Sequence, residues 1–459
     1  MYLLAINWAS VSVQVGQLLL ALSILIILHE FGHYITAKWF GCRVEKFFLF
    51  FDPWFSLVKK KVGDTVYGIG WLPLGGYVKI SGMIDESMDK EAMKQPPKEW
   101  EFRSKPAWQR LIIMLGGVIM NVLVAFVVYA FVLMSWGEKK VPAASLKYGI
   151  QVTDSTLYKI GLRSGDKILA IDGKVVDDFE KTLKKLIVAD ETITVEREGK
   201  TMDLPIPQDL LGQLIENKKK GKITLIEPRI PAVAFIVPDT SNIYKAGLRQ
   251  NDQLIGIDSA RFTFFDELKN QLSAKVNKDV LLTVKRDDKE VQLHARVNSD
   301  GILGFLPYGK ANYPQMDSLG WLKLNVRKYG FWAAFPAGVR KAGGDLSYYL
   351  EQFKKILNPS TGGYKGLGGF KAIGNAFPGV WDWESFWNIT AFLSIILAFM
   401  NLLPIPALDG GHVMFTLYEM VSGRKANEKF LEYAQVAGMV FLLLLMLYAN
   451  GNDWFGWGK

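Results

Sequence analysis

The chain has 459 residues, half of them hydrophobic, with a formal net charge of +9 and a slightly positive mean hydropathy. That is room for about three domains, and charge crowded between long uncharged windows argues for membrane spans plus soluble modules, against a wholly buried transporter. No aromatic-interleaved basic stripe or recognition-helix pattern accompanies the excess charge, so no nucleic-acid partner is expected, and the lone Cys42 rules out an intrachain disulfide.

In chain order, the first 28 residues lack the basic n-region of a signal peptide, so a retained first span is expected. Windows at 15–39, 111–136, 385–408 and 433–448 are predicted to cross a bilayer, which takes about 20 apolar residues. Lys38, Arg43, Lys46 and Lys59-Lys60-Lys61 follow the first window, and SGRKANEK (422–429) separates the last two. By the positive-inside rule both connections face the cytoplasm, while both termini and the segment 137–384 lie outside.

Between the first two windows, DTVYGIGWLPLGGYVKISG (64–82) is β-rich, with glycines and one proline at its middle. It is predicted as a re-entrant hairpin lining a protein cavity. An ordinary cytoplasmic hairpin would leave its large apolar side chains in water.

The outer segment carries a repeat. GLRSGDKILAIDG (161–173) recurs as GLRQNDQLIGIDS (247–259), an offset of 86 residues. In each copy a Gly-Leu-Arg turn leads into strand-like alternation, then a turn, a helix-like stretch (FEKTLKKLI, FDELKNQLSA) and further strands (ITVEREG, LLTVKRDD). The period is too long for a solenoid and fits two tandem globular modules. Their element order resembles bacterial PDZ domains, which bind extended peptides by strand addition. The predicted division is 1–136, 137–227, 228–309, a connector at 310–384 and 385–459. In the connector, 328–357 looks amphipathic and interfacial, and 358–377 is Gly-rich.

The chemistry lies in ILIILHEFGHYITAKW (24–39), where His29, Glu30 and His33 interrupt an apolar run. A charge at bilayer depth costs roughly 2.5 to 3.5 kcal/mol. His29 and His33, at i and i+4, lie about 40° apart on a helix, so both imidazoles can reach one zinc ion. Glu30 points to the flank of that face, where a carboxylate can take a proton from water. A third protein ligand is needed. Asp409, in NLLPIPALDGGH, ends an apolar run and is favoured because an intramembrane carboxylate most needs a cation; His412 is the competitor. Asn121 and Asn401 are polar residues within spans. They can serve as interhelical hydrogen-bonding groups or as holders of a substrate backbone or oxyanion. His294 lies in a polar strand and is assigned no chemistry.

The combination resembles the site-2 proteases, of the bacterial regulator of sigma-E protease type. HEFGH (29–33) matches that family's HExxH, GVIMN (117–121) its GxxxN, NLLPIPALDG (401–410) its NxxPxxxxDG, and WLPLGGYVKI (71–80) its membrane-associated β-hairpin. The stretch FLFFDPWFSL (48–57) and the pair Gly117-Val118 depart from the family pattern, which often has a glycine-containing segment and Gly-Pro there. The resemblance implies a polytopic α-helical membrane protein with four transmembrane helices, a membrane-associated β-hairpin and two tandem PDZ domains. It implies a zinc metalloendopeptidase of the bacterial inner membrane, with zinc on His29, His33 and Asp409, Glu30 as catalytic base and Asn401 holding substrate. The hairpin edge at Gly75, Gly76, Tyr77 and Val78 would take an unwound substrate segment as an added strand. The implied substrates are single-span membrane proteins such as anti-sigma factors, and remnant signal peptides. The PDZ pair would screen peptide or protein ligands. Two alternatives, a divalent-metal transporter and a non-catalytic membrane-anchored PDZ scaffold, fit less well: the spans are dissimilar, and a scaffold leaves Glu30 and Asp409 without a role.

Overall fold

Asn7 starts the first helix, its side chain accepting the amide of Ser10. A proline-free apolar run then carries α1 (Trp8–Trp39) through 32 residues, a rise of about 48 Å against a hydrocarbon core of about 30 Å. The structure is a computed structural model that describes residues 7–73, 75–83, 96–219, 224–425 and 427–457. It divides into two units, Met1–Gly137 with Lys328–Phe353 and Leu367–Lys459, and Glu138–Arg327 with Lys354–Gly366.

In the first unit the chain leaves α1 into β1 (Val44–Leu49), β2 (Phe51–Val62), β3 (Thr65–Leu72) and β4 (Tyr77–Ile80). They form one sheet in the order β2-β3-β1-β4. β1 runs parallel to β3 and antiparallel to β4. This corrects the hairpin expected over 64–82: β3 and β4 do not pair with each other, because β1 lies between them. Leu74, at the crossing, falls outside the described residues. The cause is the aromatic stretch after Lys46. It buries Phe48 against the sheet and supplies the central strand, while β4 is left as an edge.

α2 (Ala107–Ser135) follows Pro106 and crosses α1 where Gly32 faces Gly116. A Cβ on either glycine would run into the other's carbonyl, so the two backbones touch. Around this crossing Ala37, Val44, Ile80, Ile113 and Met114 form a buried cluster. The Tyr34 and Tyr67 hydroxyls meet at 2.7 Å and tie α1 to β3.

The second unit contains the sequence repeat as two sheets of the same topology. In the first copy β5 (Lys167–Ile171), β6 (Lys174–Val175), β7 (Thr192–Arg197) and β8 (Lys200–Pro205) are ordered β8-β7-β5-β6, with α3 (Phe179–Val188) between β6 and β7. In the second, β9 (Gln253–Ile257), β10 (Ala260–Arg261), β11 (Asp279–Arg286) and β12 (Lys289–Arg296) are ordered β10-β9-β11-β12, with α4 (Phe265–Ser273) between β10 and β11. The Asp of each repeated turn is buried on an arginine from the neighbouring strand of its sheet, β7 or β11. Asp166 takes Arg197 Nε at 2.6 Å, and Asp252 takes Arg286 Nε at 2.7 Å. His294 is exposed on β12.

The connector contributes α5 (Phe331–Leu357). In the first unit Tyr129 of α2 donates to the Asp345 carboxylate at 2.7 Å. α6 (Trp383–Leu402) ends six residues before the predicted boundary. Pro404 and Pro406 cannot continue a helix there, and Asp409 instead opens a separate helix, α7 (Asp409–Ser422). α8 (Glu428–Phe455) extends well beyond the predicted 433–448 at both ends. Among the described residues four helices are long and apolar enough to cross a membrane: α1, α2, α6 and Lys429–Phe455 of α8.

Candidate metal centre

Three elements deliver the polar groups of the first unit to one point. α1 presents His29 and His33 one turn apart, and the first residue of α7 presents Asp409. α7 is held by Glu419, whose carboxylate takes Arg110 of α2 at 2.5 Å, both side chains largely buried. Gly117 makes room for the pair, since a Cβ there would collide with both imidazoles.

The three ligand-type atoms form a nearly equilateral triangle. His29 Nε2 and His33 Nε2 are 3.3 Å apart, and each lies 3.2 Å from Asp409 Oδ2. Ligands about 2.0 to 2.1 Å from one tetrahedral zinc ion stand about 3.3 Å apart, so the triangle has the dimensions of a zinc face. The hydrogen-bond inventory agrees. Asp409 Oδ2 is buried and has no partner of hydrogen-bond geometry despite its two close nitrogens. His33 Nδ1 lies 2.9 Å from the Ile113 carbonyl. A carbonyl only accepts, so Nδ1 carries the proton and the Nε2 of a neutral ring is left with a bare lone pair. Unpaired acceptors converging in a buried site are costly without a cation, and the donor set of two imidazoles and a carboxylate suits zinc.

The triangle opens on a cleft of about 720 Å³, lined among others by Glu30, Gly76, Tyr77, Val78, His412 and Gln435. Glu30 of α1 and Val78 of β4 line it side by side. Of the residues expected to meet substrate, Gly76 packs beside Glu30, where a Cβ would stand 3.4 Å from Glu30 Cγ. Tyr77 lines the cleft, but its hydroxyl donates to Asp52 at 2.8 Å and its ring stacks on Phe48 and Phe51. Gly75 sits over the Phe51 ring and not on the cleft wall. Asn401 Nδ2 lies 3.2 Å from His29 Nε2, at the rim of the triangle. His412 shares the cleft but is not among the clustered ligand atoms.

Sequence reasoning missed Gly32, Gly116 and Gly117 as packing determinants of the site, although GxxxN was in view. It also missed the contact of Asn121 Nδ2 with His29 Nδ1 at 3.1 Å.

Comparison with known proteins bears on this geometry. The family described as Peptidase family M50 matches residues 17–445. The regulator of sigma-E protease RseP of Escherichia coli (strain K12) is 27% identical, with 95% of this chain and 97% of that protein covered. RseP of Salmonella typhimurium (strain 14028s / SGSC 2262) is 26% identical over 98% and 99%. The "Putative zinc metalloprotease" of Vibrio cholerae serotype O1 is 28% identical over 95% and 97%.

Proposed function

This chain belongs to peptidase family M50, and from that premise we propose that His29, His33 and Asp409 hold one zinc ion and that Glu30 is the base for hydrolysis of peptide bonds within membrane-spanning segments. The chain is a metallopeptidase of the zinc-dependent kind to which its relatives are assigned. The observation that carries the residue roles is the triangle of His29 Nε2, His33 Nε2 and Asp409 Oδ2, with edges of 3.2 to 3.3 Å.

Zinc bound there supplies Lewis-acid polarisation of the scissile carbonyl and acidifies water at the site. Glu30 takes the proton of the attacking water and returns it to the leaving amine. Asn401 directs its amide N–H at the substrate backbone beside the triangle. A substrate helix hides its carbonyls in its own hydrogen bonds, so it must unwind before attack. The free edge of β4 takes the unwound segment as an added strand, with Gly76 and Val78 against the cleft and Tyr77 holding the strand in its sheet.

The two repeated modules, 137–227 and 228–309, act as PDZ domains that screen the outer part of a substrate or bind a peptide. Substrates are single-span membrane proteins, anti-sigma factors by the resemblance to site-2 proteases, and remnant signal peptides. The protein resides in the bacterial inner membrane. Its active site faces the cytoplasmic side, with the modules and termini outside, following the lysines after α1 and between α7 and α8.

The deciding experiment is cleavage of a model single-span substrate by the purified full-length protein in detergent, with and without a zinc chelator. Zinc-dependent cleavage within the span is expected. Chelator-insensitive cleavage, or none with zinc-loaded protein, would refute the reading.

A further inference from the structure

The two ring nitrogens of His29 each face a side-chain amide nitrogen, and the two contacts cannot both be hydrogen bonds as they stand. Nδ1 lies 3.1 Å from Asn121 Nδ2, and Nε2 lies 3.2 Å from Asn401 Nδ2. A carboxamide nitrogen only donates. An imidazole always carries at least one ring hydrogen, so it cannot accept at both nitrogens. One of the two amides must therefore present its oxygen to the ring.

The choice falls on Asn121. The residue is fully buried, and its Oδ1 has no hydrogen-bond partner. Half a turn of the carboxamide exchanges oxygen for nitrogen at no change of shape. It gives the partnerless Oδ1 the His29 Nδ1–H as its donor. His29 Nε2, by contrast, stands in the triangle with His33 Nε2 and Asp409 Oδ2 and must keep its lone pair.

From this geometry we infer that Asn121 is a positioning residue: its side-chain oxygen accepts the His29 Nδ1–H and holds the ring in the tautomer that leaves Nε2 free for metal. This rests on the zinc-peptidase reading above. It completes a pattern on α2. The Ile113 carbonyl performs the same service for His33 Nδ1 at 2.9 Å, so one helix sets the tautomer of both imidazoles on its neighbour. Asn121 is itself fixed from behind, because its backbone carbonyl accepts the Ser394 hydroxyl of α6 at 2.7 Å. A ligand histidine usually donates its second N–H to such an acceptor, and removing the acceptor costs about 10- to 100-fold in metal affinity.

The test is zinc affinity of the full-length protein in detergent, by chelator competition, for wild type, Asn121→Leu, Asn121→Ala and Asn121→Asp. Leu and Ala, which cannot accept, should weaken zinc binding about 10- to 100-fold. Asp, which can, should stay within a few-fold of wild type. Wild-type affinity in the Leu variant, or an Asp variant as weak as Leu, would overturn the role. Should the Leu and Ala variants not fold, the side-chain 15N spectrum of histidine-labelled, zinc-loaded wild type decides: the proton should reside on His29 Nδ1, and a proton on Nε2 overturns the inference. A wild-type protein that binds no zinc would instead sink the peptidase reading on which this rests.

Discussion

Gly117 of α2 lies directly against the imidazole of His33 on α1, so close that one added methyl would take the space of Nε2. The neighbouring contact of Gly32 with Gly116 sets the helices at that distance. The metal site is thus built by a helix crossing as much as by its ligands. Gly117→Ala should lower zinc affinity more than 10-fold, an estimate scaled from losses at supporting residues of metal sites, with the ligands intact. Gly343→Ala on α5, where a Cβ meets open space, should bind zinc as wild type does. Chelator competition on both variants checks this, and equal affinities would remove the crossing from the account.

Glu30→Gln keeps the shape of the side chain but cannot take a proton from water. Zinc content should be unchanged and cleavage should fall by about 10² to 10⁴, the usual worth of a positioned general base. Appreciable residual turnover in zinc-loaded protein would assign the base elsewhere.

Asp409 and His412 separate just as sharply. Asp409 Oδ2 belongs to the triangle, whereas His412 lines the cleft one turn further along α7. Asp409→Ala should strip bound zinc, and His412→Ala should largely retain it. The reverse result in a metal analysis would exchange the two roles.

The sequence showed the site better than it showed the frame around it. HEFGH is local, and helical spacing alone puts His29 and His33 on one face. Asp409 could be chosen because an apolar run ending in prolines and a carboxylate is rare at membrane depth. The sheet was not legible, because pairing is non-local. The residues 64–82 read as a hairpin, since nothing in them reveals that Val44–Leu49 inserts between the strands. The glycine crossing was hidden for the same reason: Gly32 and Gly116 have meaning only once α1 and α2 are in contact. The repeat was legible as two modules because each copy carries its own turn and alternation. The pairing of Asp166 with Arg197 across two strands was not.

That ion pair gives a stability prediction. Asp166 is 1% exposed and Arg197 30%. Arg197→Ala leaves the buried carboxylate with only the Arg163 amide at 2.8 Å and should cost about 3 kcal/mol, the low end for a broken buried pair because that amide remains and the guanidinium is partly solvated. Lys285→Ala, at an exposed pair with Asp288, should leave stability essentially unchanged, because water screens such a pair. Hydrogen exchange of β5 and β11 in the full chain reads each effect locally. Similar protection losses in the two variants would contradict the burial argument.

The edge of β4 yields the last test. Tyr77 pairs with Phe48 and Val78 with Phe47 across β1 and β4. Neighbouring residues of a strand point their amides to opposite edges. Val78 lies beside Glu30, which puts its amide on the cleft side and the Tyr77 amide on the β1 side. Proline at either position removes the donor and fixes φ. Val78→Pro should therefore remove the amide that a substrate strand needs while sparing the β1–β4 ladder. Cleavage of a single-span substrate should fall sharply with zinc retained, and Val78→Ala should be mild. Tyr77→Pro breaks the ladder itself and should loosen β4, with faster hydrogen exchange at 77–80 accompanying any loss of cleavage. If Val78→Pro cleaves at close to the wild-type rate, substrate does not add to β4, and that step leaves the mechanism while the zinc chemistry stands.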